Sequence, residues 1–407
     1  MKMLKRSAFV AASLAFALAL PAQAQPQRWV GAWASAQLAP DAKNSLAPED
    51  YPNATLRQII RVSIGGEELR IKLSNLFRTQ PLTLDAARLA VSTAPATARI
   101  DPATDRAVTF SGSPRVTIPA GGEIWSDPIK LKVAPLAHLA ISLHYPAAPS
   151  VQTGHPGSRA TSYVLTGDHT SAEDLPGAKT ADRWFQIASV DVGSEKASAI
   201  VAFGESITDG YGVKPNTNLR WTDSLIERLK GRGIAVLNLG IGGNRVLADG
   251  LGPSGLSRFD RDVLGQSGVS HLIILEGVND LGVLNRDKLQ DTQTNAWMAK
   301  DLISAYASMV AKARARGVKA IGATILPYSG SAYYHPPAEA EAARQTVNAW
   351  IRTPGNFDAV IDWDAALRDP ARPSHLLQAY DNDGLHPNMA GYKAMADAIP
   401  LSLFESR

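Results

Sequence analysis

A hydroxyl, an imidazole and a carboxylate occur in this chain at spacings suited to acyl transfer. Ser206 follows Gly204-Glu205 directly after the apolar run Ala199–Phe203. A turn into a helix there would lift the hydroxyl to the edge of a sheet, near helix N–H groups that favour negative charge. Far downstream stands Asp383-Gly384-Leu385-His386. A carboxylate three residues before a histidine, on a turn set by Gly384 and Pro387, can hold one ring nitrogen and aim the other at a serine. Two more pieces, Gly242-Gly243-Asn244 and Gly277-Val278-Asn279-Asp280, each follow an apolar strand-like run. An oxyanion formed at an attacked carbonyl needs fixed donors; Gly243 can present a backbone N–H at close approach and Asn279 a side-chain N–H.

Each piece alone has a plainer reading. Gly-Glu-Ser-Ile-Thr-Asp is capping composition, Asp381-Asn382-Asp383-Gly384 is turn composition, and the Gly-Gly and Asn-Asp pairs suit loops. A calcium loop beginning at Asp381 would place ligand positions five and twelve on Leu385 and Tyr392, neither of them a carboxylate. The order of all four pieces is what lifts them above coincidence.

In that order the chain resembles the SGNH (GDSL-type) esterases and acylhydrolases, named for a Ser, a Gly, an Asn and a His in four blocks. The matching residues are Ser206 in Phe-Gly-Glu-Ser-Ile-Thr-Asp-Gly, Gly243 in Asn-Leu-Gly-Ile-Gly-Gly-Asn, Asn279 in Glu-Gly-Val-Asn-Asp and His386 in Asp-Gly-Leu-His-Pro. The resemblance covers roughly the last half of the chain, from Ala199 onward. The usual Gly-Asp-Ser reads Gly-Glu-Ser, with the acidic character kept at Glu205. The resemblance implies a triad of Ser206, Asp383 and His386, and the Ser206 amide as a third oxyanion donor beside Gly243 and Asn279. It also implies that no metal or organic cofactor is needed.

The surrounding elements must hold these pieces. From Trp29 to about Val192 the pattern alternates with period two: Ile60, Val62, Ile64; Leu69, Ile71, Leu73; Ile129, Leu131, Val133; Leu139, Ile141, Leu143. Gly65-Gly66 between the first two runs predicts a hairpin. Many short half-buried strands punctuated by Pro and Gly predict an all-β sandwich of jelly-roll type. After a linker at residues 193–196 the rhythm changes. Thr222, Leu225, Ile226 and Leu229 fall on one helical face, and residues 296–315 and 338–351 read as further helices. Continuous apolar runs at 199–203, 234–239, 272–275, 320–326 and 357–361 read as strands. Together they predict a three-layer α/β/α sandwich on a parallel sheet, whose strand ends place sites.

Residues 1–24 read as an export signal: Lys2, Lys5 and Arg6, an apolar stretch from Ser7 to Leu20, and Ala22-Gln23-Ala24 for cleavage. Removing it takes the formal charge from +3 to zero, which argues against nucleic acid and against strong attraction to anionic membranes. No other stretch is apolar enough to span a membrane, and an exported chain without cysteine must be stable through its core. The expected divisions are the signal at 1–24, a β-sandwich accessory domain at 25–192, the linker, and the catalytic domain at 197–407. The expected protein is a periplasmic or extracellular serine esterase that removes small acyl groups, acetyl above all, from a carbohydrate or similar alcohol. A lipase or acyltransferase for longer chains is the competing reading, and a non-catalytic glycan-binding protein a more distant one. Arg245, Tyr333 and Tyr334 are candidate substrate contacts from loops at strand ends. Glu276, beside the Asn279 block, is an orienting residue or an ion-pair partner. His335 belongs to the same loop as the tyrosines. His138, His144, His271 and His375 read as structural, while His155 and His169 lie in loops that could reach the second domain.

Overall fold

The computed structural model describes residues 28–147, 152–286 and 291–405. The export signal expected at 1–24 lies outside the described residues.

The N-terminal part is a pair of packed antiparallel sheets. In one, Gly66–Ser74 lies between Ile187–Gly193 on one side and Glu123–Trp125 with Ile129–Val133 on the other. Trp29–Ala34 extends it beyond Ile187–Gly193. In the other, His138–Tyr145 lies between Ala54–Arg61 and Ala86–Val91, and Ser162–Thr166 continues outward from Ala54–Arg61. The period of two works as expected: Ile129, Leu131 and Val133 are buried while Lys130 and Lys132 are exposed. The hairpin expected at Gly65-Gly66 does not form. Ala54–Arg61 and Gly66–Ser74 belong to different sheets, so this turn carries the chain across the sandwich. Gly65 is required there because a Cβ would lie 2.2 Å from the Val133 carbonyl oxygen. Alternation marks a strand with one buried face but does not name its partner.

The C-terminal part is built on a parallel sheet of five strands: β1 (Ser198–Gly204), β2 (Ile234–Gly240), β3 (Val269–Leu275), β4 (Lys319–Ala323) and β5 (Ala359–Ile361), in the spatial order 2-1-3-4-5. The helices are α1 (Ser206–Asp209), α2 (Trp221–Arg228), α3 (Gly255–Phe259), α4 (Val278–Arg286), α5 (Thr292–Ala315), α6 (Ala338–Arg352), α7 (Trp363–Leu367) and α8 (Met389–Asp397). The apolar runs are continuous because both faces of the sheet are covered. Ala199, Val201 and Phe203 pack with Leu302, Met309 and Val347 of α5 and α6. Ile200 and Ala202 pack with Trp221 and Leu225 of α2 and Tyr392 and Met395 of α8. Asn279-Asp280, readable as a turn, instead begins α4.

The two parts share one core. Residues of the sandwich such as Val30, Ile71 and Val190 belong to the same buried cluster as Val201, Leu237 and Leu302. β2 is an edge strand of the parallel sheet, and the sandwich covers it. Ser63 Oγ donates to the Val236 carbonyl at 2.8 Å and accepts the Val236 N–H at 3.2 Å. Gly31 lies against Leu237, where a Cβ would meet a methyl at 2.8 Å. Among the described residues no helix is long and apolar enough to cross a membrane.

Candidate active site

β1 ends at Gly204, and the next residues form a tight turn into α1. Gly204 is forced: a Cβ would lie 2.2 Å from Thr208 Oγ1 and 2.6 Å from the Leu275 carbonyl oxygen. Glu205 caps α1, its Oε2 accepting the Ile207 N–H at 2.6 Å. The glutamate that departs from the usual motif therefore still does the work of a capping acid. Ser206 opens α1 and is 6 % exposed.

The distant histidine arrives on the turn before α8. Ser206 Oγ lies 2.8 Å from His386 Nε2. On the other side of the ring, Nδ1 lies 2.9 Å from Asp383 Oδ2 and 3.1 Å from Oδ1. Asp383 Oδ1 also accepts the backbone N–H groups of Leu385 and His386, at 3.2 and 2.8 Å. Partial burial opposes charge on Asp383, but hydrogen bonds from the His386 ring and backbone outweigh it and hold the carboxyl below its usual range. Gly384, at φ +78°, passes so close to Gly330 that a Cβ would lie 2.1 Å from its carbonyl oxygen. Tyr211 stacks on His386, ring centroids 4.1 Å apart at 29°, and the Arg159 guanidinium lies 5.7 Å from the Tyr211 ring centroid. A ring held on both edges and on one face can take a hydroxyl proton without turning away.

Gly243 follows β2 and Asn279 follows β3, and both line the same cleft of about 890 Å³ with Ser206 and His386. Gly243 has φ +74°. Asn279 Nδ2 donates to the Asn244 carbonyl at 2.7 Å, which leaves its second N–H available, and Oδ1 accepts the Tyr334 hydroxyl at 2.7 Å. Asp280 accepts the N–H groups of Val246 and Leu247 at 2.8 and 3.0 Å, clamping the chain that follows Gly243. Burial lifts its carboxyl to about 6 despite those bonds.

Of the substrate-contact candidates, Tyr333 is exposed at the cleft edge and Arg245 lines the cleft, bonded to the Asp249 carbonyl. Tyr334 also lines it, but the residue is buried and its hydroxyl is spent on Asn279. His335 is exposed and is not among the cleft-lining residues. Glu276 pairs at 3.1 Å with Arg258, out of solvent, and burial pushes its carboxyl well up. His138 meets Asn218, His144 meets Asn53, and His169 meets the Thr166 carbonyl. His155 does cross to the second part, with Nε2 at 2.9 Å from Asp209 Oδ1.

Arg258, on α3, went unmarked in the sequence. It is 1 % exposed, and its guanidinium donates to the carbonyls of Leu239 and Gly204, to Asn244 Oδ1 and to Glu276. It thus ties the ends of β1, β2 and β3 together under the site. The sandwich contributes Leu38, Asp41, Pro156 and Arg159 to the cleft wall.

Residues 200–399 match the family described as GDSL-like Lipase/Acylhydrolase. This region of the chain is a GDSL-like lipase/acylhydrolase domain, and that family supports a carboxylic ester hydrolase. Among solved structures, a GDSL-like lipase from Bacteroides thetaiotaomicron is 23 % identical, with 50 % of this chain and 87 % of that one covered and a TM-score of 0.37. An acetyl xylan esterase from Geobacillus stearothermophilus is 21 % identical, covering 50 % and 94 %, also with a TM-score of 0.37. No curated protein matches the chain.

Proposed function

We propose that the chain hydrolyses an acyl ester through a covalent intermediate on Ser206. His386 Nε2 takes the Ser206 proton as Oγ attacks the carbonyl, and returns it to the leaving alcohol. Asp383 fixes the ring tautomer and stabilises the imidazolium. The Ser206 and Gly243 amides and the Asn279 side chain bind the oxyanion. Water, activated by His386, then attacks the acyl-enzyme and releases the acid. The observation that carries this reading is the unbroken contact from Asp383 through His386 to Ser206, at 2.9 and 2.8 Å.

The preferred substrate is a small acyl group, acetyl above all, on a carbohydrate or similar polar alcohol. The cleft rim supports it: the exposed Tyr211 and Tyr333 offer aromatic faces with polar tips, and Arg159, Arg245 and Arg286 add donors. Leu251 is the one exposed large aliphatic residue among the cleft-lining residues described. We also propose that residues 1–24 direct export and are removed, that 25–192 form an accessory domain joined through 193–196, and that 197–407 form the catalytic domain.

The test is hydrolysis of p-nitrophenyl esters from acetate to palmitate, and of acetylated xylan, by the wild type beside Ser206→Ala. Activity confined to short esters and xylan, and lost in the variant, is the expected result. A preference for long chains would replace the carbohydrate reading with a lipase.

A further inference from the structure

Asp209 closes α1 three residues after Ser206, and its carboxylate is buried between three segments. Oδ2 accepts the Gly242 N–H at 3.2 Å, on the glycine pair that carries Gly243. Oδ1 lies 2.9 Å from His155 Nε2, which belongs to the β-sandwich. His155 is itself fixed. Its Nδ1 lies 2.8 Å from the Ala36 carbonyl, an acceptor only, so Nδ1 carries a proton and donates. The ring also stacks on Trp184, centroids 5.9 Å apart at 27°. The fit around the carboxylate is close: at Gly157 a Cβ would lie 1.9 Å from Asp209 Oδ2.

We propose that His155 is a positioning residue for the oxyanion site. It steadies the Asp209 carboxylate, which holds the Gly242 N–H, and the next amide, that of Gly243, is thereby turned toward the substrate carbonyl oxygen. A Gly-Gly pair is the least restrained dipeptide a loop can contain, and Gly243 sits at positive φ. Such a donor stabilises a transition state only if its place is fixed beforehand. The sandwich would then be part of the catalytic apparatus rather than an appended module. The inference rests on the assignment of Gly243 as an oxyanion donor made above.

Two substitutions separate the two hydrogen bonds of the ring. In His155→Asn the side-chain amide can still reach the Ala36 carbonyl but not Asp209. In His155→Gln it can reach Asp209 but not Ala36. Hydrogen exchange over residues 240–246, steady-state kinetics on p-nitrophenyl acetate and thermal melting would be measured for both variants and the wild type. Turnover would be counted per active site titrated with a phosphonate ester. The expected result is faster exchange at Gly242 in His155→Asn than in the other two proteins. Its kcat should fall about tenfold or more, short of the roughly 10²–10³ typical for removing a donor outright. KM should move little, and His155→Gln should recover most of the loss. Equal Gly242 exchange in all three proteins would overturn the proposal. So would losses of kcat in the two variants that simply follow their melting temperatures. The exchange result stands apart from turnover: faster Gly242 exchange in His155→Asn with kcat unchanged would overturn Gly243 as an oxyanion donor, whereas equal exchange overturns the role of His155, so the two assignments fail separately.

Discussion

In the proposed mechanism the residues around Ser206 divide into those that react and those that aim them. Tyr334 is of the second kind: its hydroxyl holds Asn279 Oδ1, turning the amide so that Nδ2 is directed by the Asn244 carbonyl. Asn279→Ala should lower kcat by roughly 10²–10³, and Tyr334→Phe by a smaller factor, with KM for p-nitrophenyl acetate little changed in both. A Tyr334→Phe variant that raised KM alone would place the tyrosine against substrate instead. Glu205 carries a different signature. Burial raises its carboxyl from 4.5 to about 8, against the bonds from Ile207 and Ser206 that pull it down. Between those values the folded chain keeps a proton that the unfolded chain has released, so rising pH favours unfolding, by at most about 1.4 kcal/mol per pH unit. Urea unfolding at about pH 5 and about pH 8 should therefore show a larger loss of stability for the wild type than for Glu205→Gln. Equal losses would mean that the carboxyl is ionised in the folded protein.

At the scale of elements, the site is a set of strand ends held in register. Arg258 gathers the Gly204 and Leu239 carbonyls, Asn244 and Glu276, with both partners of the Arg258–Glu276 pair out of solvent. Arg258→Met strands the Glu276 carboxyl and should cost about 3–5 kcal/mol in urea unfolding. A loss within about 0.5 kcal/mol, typical of surface positions, would contradict that role. The strands and the four blocks were legible because each is local: the apolar runs at 199–203 and 234–239 lie within β1 and β2, and Ser206, Gly243, Asn279 and His386 sit in contiguous motifs. Arg258 and His155 were not legible in the same way, since their partners lie far along the chain and nothing in their neighbours marks them; Asp209 sits in the Ser206 block, but its partners His155 and Gly242 do not. His155 could be named only as able to reach across, and a hydrogen bond 54 residues long is what makes it matter. The hairpin expected at Gly65-Gly66 failed for a related reason: alternation fixes which face is buried, while pairing is decided by strands at 138–145 and 187–193.

At the scale of the whole molecule, the sandwich and the parallel sheet are joined by a continuous apolar core and by polar contacts on both sides of it. Ser63 binds the β2 edge, Arg70 reaches Ser267, Arg220 reaches the Ser158 carbonyl, and Asn216 accepts the Thr161 N–H. Two bodies that share a core unfold together. Calorimetry of the protein should therefore show one transition, and two resolved transitions would mean that the parts are stable apart. The cleft is walled by both, so its shape belongs to the assembled molecule. The central claim remains the covalent step at Ser206. Protein quenched by acid during turnover of p-nitrophenyl acetate and mapped by peptide mass spectrometry tests it most directly. An acetyl group on Ser206, absent from Ser206→Ala, is the predicted result. Turnover with no acyl group on Ser206, or with one on another residue that carries the flux, would contradict it.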